Sequence, residues 1–346
     1  MRVDHKHLTD HCAALLEAAG ACPDHARITA EGLVEADLCG VETHGVSRME
    51  VYLKRLEAGA VLGEGVFTIV KQYAGAALCD GGGALGQVTA RKAMALAIEQ
   101  AGTAGCYTVF VRNSSHYGMA ATYARMAAEA GMVGITTTNA PPALAPWGSY
   151  RAYFGPNPLA IAVPGKNGTA FCLDMAPSVI PRGKLMLAIQ KGESIPEGWA
   201  VDKEGNPTTD PKLAWDGTLL PIGGPKGAGL TMSLDVLSGI LPGAAFGPHI
   251  GNLFNDMSKT QDVGHVFTVI DPELFTGREV FIERVEQMLA EIKALPRTPG
   301  TAEIFAPGEI ELGRKTDRME NGIELAQNTY DFLVRKAREY GIKEQI

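Results

Sequence analysis

The chain of 346 residues is long enough for two or three packed subdomains, because a single hydrophobic core usually stops growing at about 250 to 300 residues. Its 46% hydrophobic and 20% charged residues are typical of a globular protein and exclude a disordered or fibrous one. The net charge of −8 comes without a block of basic residues, which argues against a nucleic-acid partner. A small anionic ligand, held by local groups, remains compatible with this charge.

The cysteines and the apolar runs predict a cytoplasmic protein. The six cysteines form no C-x-x-C pair and most lie in apolar runs, so we expect buried thiols and no disulfides. The longest apolar runs, such as 159–164, fall far short of the ~18 residues of a membrane-spanning helix. The amino terminus lacks the apolar region of a signal peptide.

The chain begins with a segment predicted to be wholly helical, and then changes character. Apolar spacing, with Pro23 at a helix start, predicts helices over about 7–19, 23–38 and 46–57. From Phe67 onward strands and helices alternate, as in α/β proteins. The predicted strands are 76–79, 106–111, 132–138, 159–163, 169–173 and 263–270, and the predicted helices are 87–101, 119–130, 182–191, 230–241, 278–294 and 321–340.

The organisation of the chain follows from this order. Two Gly- and Pro-rich stretches, 140–157 and 218–229, interrupt the alternation, and such long irregular stretches are usually functional. Because helical segments occupy both ends, we expect the ends to pack together as one discontinuous domain, residues 1–70 plus 296–346. An α/β region over 71–295 would then bind cofactor and substrate.

The segment 113–119 (NSSHYGM) places His116 between a buried strand and the first turn of a helix. Sheets of α/β proteins open their ligand crevices at strand ends, and the free N–H groups of a helix start favour anions. An imidazole there could pass a proton while the helix holds a phosphate or carboxylate. The alternative is a histidine that only caps a loop. The two serines before it do not indicate acyl transfer, because no G-x-S-x-G elbow is present.

Residues 81–86 (GGGALG) match the dinucleotide fingerprint G-x-G-x-x-G, after a predicted strand and before a predicted helix. The next strand, however, ends at Arg112 and Asn113, where a Rossmann fold needs an acidic residue for a ribose hydroxyl. An arginine there could instead suit a 2′-phosphate. We favour a turn that lets strand and helix pack closely over a Rossmann site.

A second histidine, His44, lies in the segment 43–48 (THGVSR), with Arg48 one turn further along the same face and Tyr52 another turn on. An arginine fork binds a carboxylate through two hydrogen bonds, so His44 and Arg48 could bind and protonate a 2-oxo acid. The alternative is Thr43 as a helix N-cap with both side chains on the surface.

Three weaker signals complete the set. Asp174 lies at another strand end, and Lys226 lies in a glycine loop before a helix, where it suits a phosphate or ribose without P-loop spacing. The amino-terminal histidines lack supporting carboxylates or cysteines, so we expect a solvated helix start and no metal site at His5, His7 and His11.

Several of these segments together resemble the malate/L-lactate dehydrogenase family of the second, non-Rossmann type, over nearly the whole length. The segments that carry the resemblance are 43–48 (THGVSR), 113–118 (NSSHYG), 146–148 (PWG), 157–158 (NP), 174–176 (DMA), 183–184 (GK), 199–202 (WAVD), 207–211 (PTTDP) and 224–227 (GPKG). The carboxyl half is most similar to the ureidoglycolate dehydrogenases of this family.

The resemblance implies an α/β fold like that of L-sulfolactate dehydrogenase, with a mixed-sheet cofactor domain and a helical subdomain formed by both termini. It implies a dimer, and hydride transfer between NAD or NADP and a carbon bearing a 2-oxo, 2-hydroxy or 2-imino group. It assigns proton transfer to His44 and His116, and substrate contacts to Thr43, Arg48, Tyr52, Arg182 and Gly183. The cofactor contacts it implies are His116, Tyr117, Gly118, Met119, Ala120, Asp174, Met175, Ala176, Lys226, Gly227, Pro307, Gly308 and Glu309.

Departures from the family pattern bear on the substrate. Pro156 removes the hydroxyl of a common G-T-N-P motif, and Lys184 stands where the ketimine reductases carry an Asp, so imine reduction is disfavoured. Ala140 replaces a polar cofactor contact of ureidoglycolate dehydrogenase. Thr43 replaces a frequent Ser and keeps the hydroxyl.

We therefore interpret the protein as an NAD(P)-dependent oxidoreductase for a small anionic 2-hydroxy or 2-oxo acid, and as a homodimer with a shared active site. Ureidoglycolate dehydrogenase and cyclic ketimine reductase are alternatives within the family. A non-catalytic nucleotide-binding homologue is an alternative of another class, against which the intact His44, Arg48, His116 and Lys226 argue. His116 is the preferred proton carrier, and the sequence leaves His44 open for that role.

Overall fold

The computed structural model describes residues 1–346 and contains a seven-stranded mixed sheet beside helices from both chain ends. The strands are β1 Arg2–Val3, β2 Thr68–Gln72, β3 Ala76–Asp80, β4 Cys106–Ser114, β5 Val133–Thr138, β6 Leu159–Gly165, β7 Gly168–Met175, β8 Ala200–Val201, β9 Thr218–Leu219, β10 Val263–Ile270 and β11 Ile323–Glu324. The helices are α1 His5–Ala18, α2 Pro23–Leu38, α3 Met49–Glu57, α4 Gly86–Ala104, α5 Ala121–Glu129, α6 Gly183–Lys191, α7 Pro211–Asp216, α8 Pro225–Asp235, α9 Arg278–Lys293, α10 Glu309–Asn321 and α11 Gln327–Glu339.

The main sheet has the strand order β2-β3-β4-β10-β5-β6-β7. Only β3 and β4 run parallel, and every other neighbouring pair is antiparallel. A Rossmann sheet is built from parallel strands, so the expectation of a non-Rossmann α/β fold is confirmed. The alanine-rich helices α4 and α5 pack on this sheet and bury Phe267 of the central strand β10.

The two ends of the chain share one hydrophobic core. Side chains of α1, α2 and α3 pack with Ile323, Leu325 and Leu333 near the carboxyl terminus. Strand β1 pairs antiparallel with β11, with Arg2 opposite Glu324. The domain boundaries at residues 70 and 296 stay a prediction, and β2, which spans residue 70, belongs to the main sheet.

Some predicted elements differ from the structure. The helix predicted over 321–340 is wrong at its start, because Gly322 has a φ of +81° and ends α10 before β11 and α11 follow. Helix α8 begins at Pro225 and not at Leu230. The first 60 residues are not wholly helical, since β1 precedes α1. Neither α10 nor β2 was expected, and every residue of β2 is exposed, so no buried alternation marks that strand.

Burial also tests the expectations about cysteine and histidine. All six cysteines are free thiols, of which four are buried and Cys106 is exposed. His11 is buried in α1, with its Nε2 3.3 Å from the backbone oxygen of Leu333, so the expectation of a solvated helix start is wrong for this residue. None of the helices combines the length and the apolar character needed to cross a membrane.

Candidate active site

The backbone amides of the glycine loop 81–86 donate hydrogen bonds to other groups of the protein. The N–H of Gly81 donates to the backbone oxygen of Arg112, and that of Gly83 to the backbone oxygen of Asn113, each at 2.9 Å. The N–H of Gly82 donates to the carboxylate of Asp80. These amides are therefore not free for a pyrophosphate.

The last glycine of that loop supports the segment that carries His116. A Cβ on Gly86 would lie 2.2 Å from the backbone oxygen of Ser115 and 2.3 Å from that of His116. No real Cβ makes such contacts, so only glycine lets the start of α4 pack against this segment. Gly86 of the G-x-G-x-x-G motif therefore serves the packing of α4 against the segment that carries His116.

His44 and Arg48 lie in two short 3-10 turns, Glu42–His44 and Val46–Arg48, which connect α2 to α3. The helix predicted from residue 46 thus starts as a 3-10 turn. The hydroxyl of Thr43 lies 3.0 Å from Nδ1 of His44 and caps no helix, so the helix N-cap of the alternative interpretation is wrong.

A buried carboxylate holds these turns in place. Asp37 of α2 accepts a hydrogen bond from the N–H of Val46 at 2.7 Å, and a Cβ on Gly45 would lie 2.0 Å from its Oδ1. Arg318 of α10 donates to the backbone oxygen of Asp37 and, at 2.8 Å, to the carboxylate of Glu42. The carboxyl-terminal helix therefore fixes the turn that carries His44.

The two predicted histidines meet. The rings of His44 and His116 stack with their centroids 5.6 Å apart, and the hydroxyl of Tyr52 lies 2.6 Å from Nδ1 of His116. Burial, reinforced by Arg48, lowers the pKa of His44 to about 4. Burial, with His44, Arg48 and His265 nearby, holds the pKa of His116 well below its usual range. Both imidazoles are therefore neutral at pH 7, the state in which a ring nitrogen accepts a proton.

Arg48 is half-buried and leaves part of its guanidinium free. Its Nε donates to the backbone oxygen of Thr43 at 2.6 Å, and the group lies 5.0 Å from the ring centroid of Phe254. No carboxylate pairs with it. Since a charge removed from water is costly without a partner, this geometry suits a ligand carboxylate, which a guanidinium binds through two parallel hydrogen bonds.

The start of α6 borders the same site. A Cβ on Gly183 would lie 3.4 Å from the methyl group of Thr43, so these two predicted substrate contacts are neighbours. The side chain of Arg182 donates to the backbone oxygen of Trp215 at 2.6 Å and stacks over its ring. Part of its donor capacity is therefore committed to α7.

The predicted cofactor segments converge around the end of β7. Asp174 accepts a hydrogen bond from the N–H of Ala121, directly after the His116–Ala120 segment, at 2.8 Å. Pro177 pairs with Ile222, four residues before Lys226, through an N–H to oxygen distance of 2.9 Å. Cys172 pairs in the same way with Pro307 at 2.8 Å. These three hydrogen bonds place the segments 116–120, 174–176, 226–227 and 307–309 close to one another.

Residues 117–120 are buried behind this site. The ring of Tyr117 is 1% exposed and stacks on His265, with centroids 4.7 Å apart. Gly118, Met119 and Ala120 are buried as well. The Tyr117 ring is unavailable to a ligand, so any cofactor contact from these residues would be made by main-chain atoms.

The start of α8 has the features that a dinucleotide phosphate needs. Lys226 is exposed and has no carboxylate partner, and the N–H groups of the first helical turn face no intrahelical acceptor. The helix dipole adds to this positive potential. Glu309, by contrast, is bound to Lys293 and to the N–H of Ala306. The residues present therefore fit a phosphate at Lys226 and Gly227.

Sequence reasoning missed two glutamines that contact the site. The amide of Gln87 donates to the hydroxyl of Tyr52 at 2.8 Å, and the side-chain oxygen of Gln261 accepts from the N–H of His116 at 3.1 Å. A signal for Gln87 existed: it lies on the buried stripe of α4 that continues through Ala90, Met94, Ala97 and Ala101. A polar residue on an apolar stripe needs a partner. No pattern marks Gln261, which lies in a loop.

Comparisons with known proteins agree over nearly the whole chain. The family model for malate/L-lactate dehydrogenase matches residues 3–334. An L-sulfolactate dehydrogenase from Methanocaldococcus jannaschii is 42% identical over 95% of this chain and 94% of its own length. A ureidoglycolate dehydrogenase (NAD(+)) from Escherichia coli is 35% identical over 92% and 91%. A (2R)-3-sulfolactate dehydrogenase (NADP(+)) from Chromohalobacter salexigens is 36% identical over 83% and 86%.

The fold gives the same result. The solved structure of the sulfolactate dehydrogenase from Methanocaldococcus jannaschii superimposes with a TM-score of 0.94 at 39% identity, covering 100% of this chain and 99% of that one. Sequence and fold therefore agree on one ancestry. The chain belongs to the malate/L-lactate dehydrogenase family.

Proposed function

We propose that the protein is an NAD(P)-dependent dehydrogenase that transfers a hydride between the nicotinamide and a small 2-hydroxy or 2-oxo acid. The observation that carries the proposal is the half-buried guanidinium of Arg48, without a protein carboxylate, beside the stacked imidazoles of His44 and His116. Family membership supports the reaction class, because the relatives named above are dehydrogenases of hydroxy acids.

Each side chain has a distinct task in this proposal. Arg48 binds the substrate carboxylate, which places the 2-oxygen beside the two imidazoles. Neutral His116 accepts the hydroxyl proton in oxidation and becomes an imidazolium, and in reduction that imidazolium returns the proton to the oxygen. His44, stacked on that ring, orients or polarises the same oxygen.

The cofactor would lie along the convergent segments at the end of β7. Lys226 and the first N–H groups of α8 would hold a phosphate, while the segments 174–176 and 307–309 would line the remaining surface. Relatives named for NAD(+) and for NADP(+) both exist, so the same residues are compatible with either nucleotide.

A substrate panel tests the function. Nicotinamide absorbance is followed with NADH and NADPH against 2-oxo acids of increasing size, with ureidoglycolate and a cyclic ketimine as family alternatives. We expect reduction of at least one 2-oxo acid with one nucleotide preferred. Absence of turnover with every substrate, in a protein that still binds nucleotide, would favour the non-catalytic alternative.

His116→Gln tests the proton carrier. We expect kcat to fall by ~10²-fold or more, because a glutamine cannot exchange a proton, while the cofactor Kd stays within a few-fold. His249→Gln, on an exposed histidine, is the matched control. Near-full kcat across the pH range would transfer the role to His44.

We also propose a homodimer acting in the cytoplasm. Five exposed apolar side chains form a continuous face on α8 and the π-helical turn that follows it: Met232, Val236, Leu237, Ile240 and Leu241. Exposed apolar patches of this kind mark interfaces, and a second copy there would contact α8, the helix whose first turn carries Lys226. A shared active site would follow from this position. The six free thiols support a reducing compartment.

A further inference from the structure

A chain of hydrogen bonds connects the core of α4 to His116. Nε2 of Gln87 donates to the hydroxyl of Tyr52 at 2.8 Å, and that hydroxyl lies 2.6 Å from Nδ1 of His116. Gln87 is 1% exposed and Tyr52 is 3% exposed. Both side chains are therefore sealed from bulk solvent, and their polar groups depend on each other.

With the amide nitrogen of Gln87 toward Tyr52, the chemistry of these groups sets the direction of both bonds. An amide NH₂ can only donate, so the Tyr52 oxygen accepts from Gln87 and the single hydroxyl hydrogen points to Nδ1 of His116. Burial raises the pKa of Tyr52 to about 12, so the hydroxyl keeps this hydrogen at neutral pH. Nδ1 is then an acceptor, and the neutral ring carries its hydrogen on Nε2.

We propose that Gln87 is a positioning residue that determines, through Tyr52, which imidazole nitrogen of His116 carries the hydrogen. This inference rests on the proposed role of His116 as the proton carrier. Nε2 of His116 has no hydrogen-bond partner in the protein, so it is the nitrogen left for the substrate. With the amide donating, Nε2 presents an N–H to the carbonyl oxygen of a 2-oxo acid.

The other end of the amide gives the opposite arrangement. Oε1 of Gln87 is buried without a hydrogen-bond partner, so no bond at that end holds the amide in one orientation. Rotation of the amide by about 180° would bring Oε1 to the Tyr52 hydroxyl, and Tyr52 would then accept from Nδ1. Nε2 would present a lone pair to the hydroxyl of a 2-hydroxy acid. Glutamine suits both hydrogen-bonding arrangements because its amide group both donates and accepts.

The charges around His116 make the effect measurable. The titratable groups facing it are Tyr52 from α3, His44 and Arg48 from the 3-10 turns, and His265 from β10. None of these is a carboxylate. A glutamate in place of Gln87 would add the first negative charge beside this network and would raise the pKa of His116.

The test reads the hydrogen positions directly. Long-range ¹H–¹⁵N spectra of the ¹⁵N-histidine protein are recorded at pH 8.5, with His116 assigned through its loss in His116→Gln. We expect wild type to show the Nε2–H form, Gln87→Glu to show the Nδ1–H form, and Gln87→Met, which has no polar group, to show a mixture. Gln287→Glu, the same change on the exposed face of α9, should leave the spectrum unchanged.

Kinetics provide a second measurement. In Gln87→Glu the acid limb of kcat/KM for oxidation should move up by about one pH unit, while the cofactor KM stays within twofold. An Nδ1–H form in wild type, or an unchanged spectrum in both Gln87 variants, would overturn the proposal. If Gln87→Glu does not fold, Gln87→Met decides alone. These spectra need no turnover, so a failure of the proposed function would show separately in the substrate panel.

Discussion

Arg48 illustrates how the surroundings of a single side chain favour one kind of ligand. Its Nε is occupied by the backbone of Thr43 and its face by Phe254, which leaves the terminal nitrogens in one fixed orientation. Burial lowers the pKa of Arg48 from its ordinary value, which means that the protein does not fully compensate the positive charge of the guanidinium. A carboxylate of the substrate would supply that compensation.

We expect Arg48→Lys to raise the KM for a 2-oxo acid by on the order of tenfold or more, because an ammonium lacks the planar fork. Steady-state kinetics with a 2-oxo acid and its uncharged amide separate charge recognition from general damage. The KM for the uncharged amide should change little. Arg335→Lys, on the exposed side of α11, serves as the control. An equal loss with acid and amide would contradict the assignment.

Asp37 predicts a pH dependence of stability. Burial raises its pKa from 3.8 to about 7 in the folded protein. Between these values the folded state binds more protons than the unfolded state, so this residue's contribution to stability falls as the pH rises. It is fully present below about pH 4 and lost above about pH 7.

Asp37→Asn keeps an oxygen for the N–H of Val46 and removes the titration. We expect the variant to gain on the order of 1 kcal/mol of unfolding free energy relative to wild type between pH 5 and pH 8. Urea unfolding at both pH values measures this difference. Asp331→Asn, an exposed change on α11, should show no such trend. Parallel stabilities of wild type and Asp37→Asn at both pH values would refute the explanation.

At the residue scale, the sequence predicted candidate site residues that lie together in the structure, and it did not predict the residues that hold them in place. His44, Arg48, Tyr52 and His116 carry recognisable chemistry in recognisable segments, and the structure brings them together. Gln87 acts from a helix 35 residues away from Tyr52 along the chain, a distance that local pattern cannot span. The apolar stripe of α4 marks Gln87 as buried, and only the fold shows that its partner is Tyr52.

At the scale of elements, the glycine loop lacks the free amides of a Rossmann phosphate site, whereas the start of α8 has free amides. The amides of the loop 81–86 bind the protein's own backbone and Asp80. The free N–H groups and the unpaired cation lie at the start of α8, far along the sequence.

Two variants separate these tasks. Gly83→Ala forces an alanine to a φ of +65°, which should cost about 1 kcal/mol of stability and leave the cofactor Kd unchanged. Lys226→Ala should raise the cofactor Kd by roughly tenfold without loss of stability, since a charge-assisted hydrogen bond is worth about 1.5 to 3 kcal/mol. Thermal unfolding and fluorescence titration with NADH and NADPH measure both. A raised cofactor Kd in Gly83→Ala with an unchanged Kd in Lys226→Ala would instead indicate that the glycine loop binds the phosphate.

The elements that the sequence did not predict have a common physical reason. Strand β2 is exposed on both faces, and α10 has no fully buried residue, so the apolar repeat on which such predictions depend is absent from β2 and sparse in α10. Strand β11 has two residues and exists only because β1 lies opposite. Long, half-buried elements such as α2, α4 and β10 were predicted nearly to their ends.

At the scale of the whole molecule, the apolar face of α8 and its π-helical turn predicts the oligomer. Ile240→Asp would place a charge in the centre of this face, so we expect the variant to sediment as a monomer where wild type sediments as a dimer. Leu295→Asp, which changes an equally exposed apolar residue after α9, should leave the dimer intact. A monomeric wild type at assay concentration would contradict the dimer outright.

Two contacts between the chain ends affect folding during synthesis on the ribosome. Arg2 pairs with Glu324, and Arg318 donates hydrogen bonds to Asp37 and Glu42, which hold the turn that carries His44. Domains that consist of one continuous segment can fold as they emerge. In this protein Arg2 cannot form its strand pair until Glu324, more than three hundred residues later in the chain, has been made. Nascent chains arrested before residue 309 should therefore lack the fixed conformation of the turns that carry His44 and Arg48, because α10 has not yet been made.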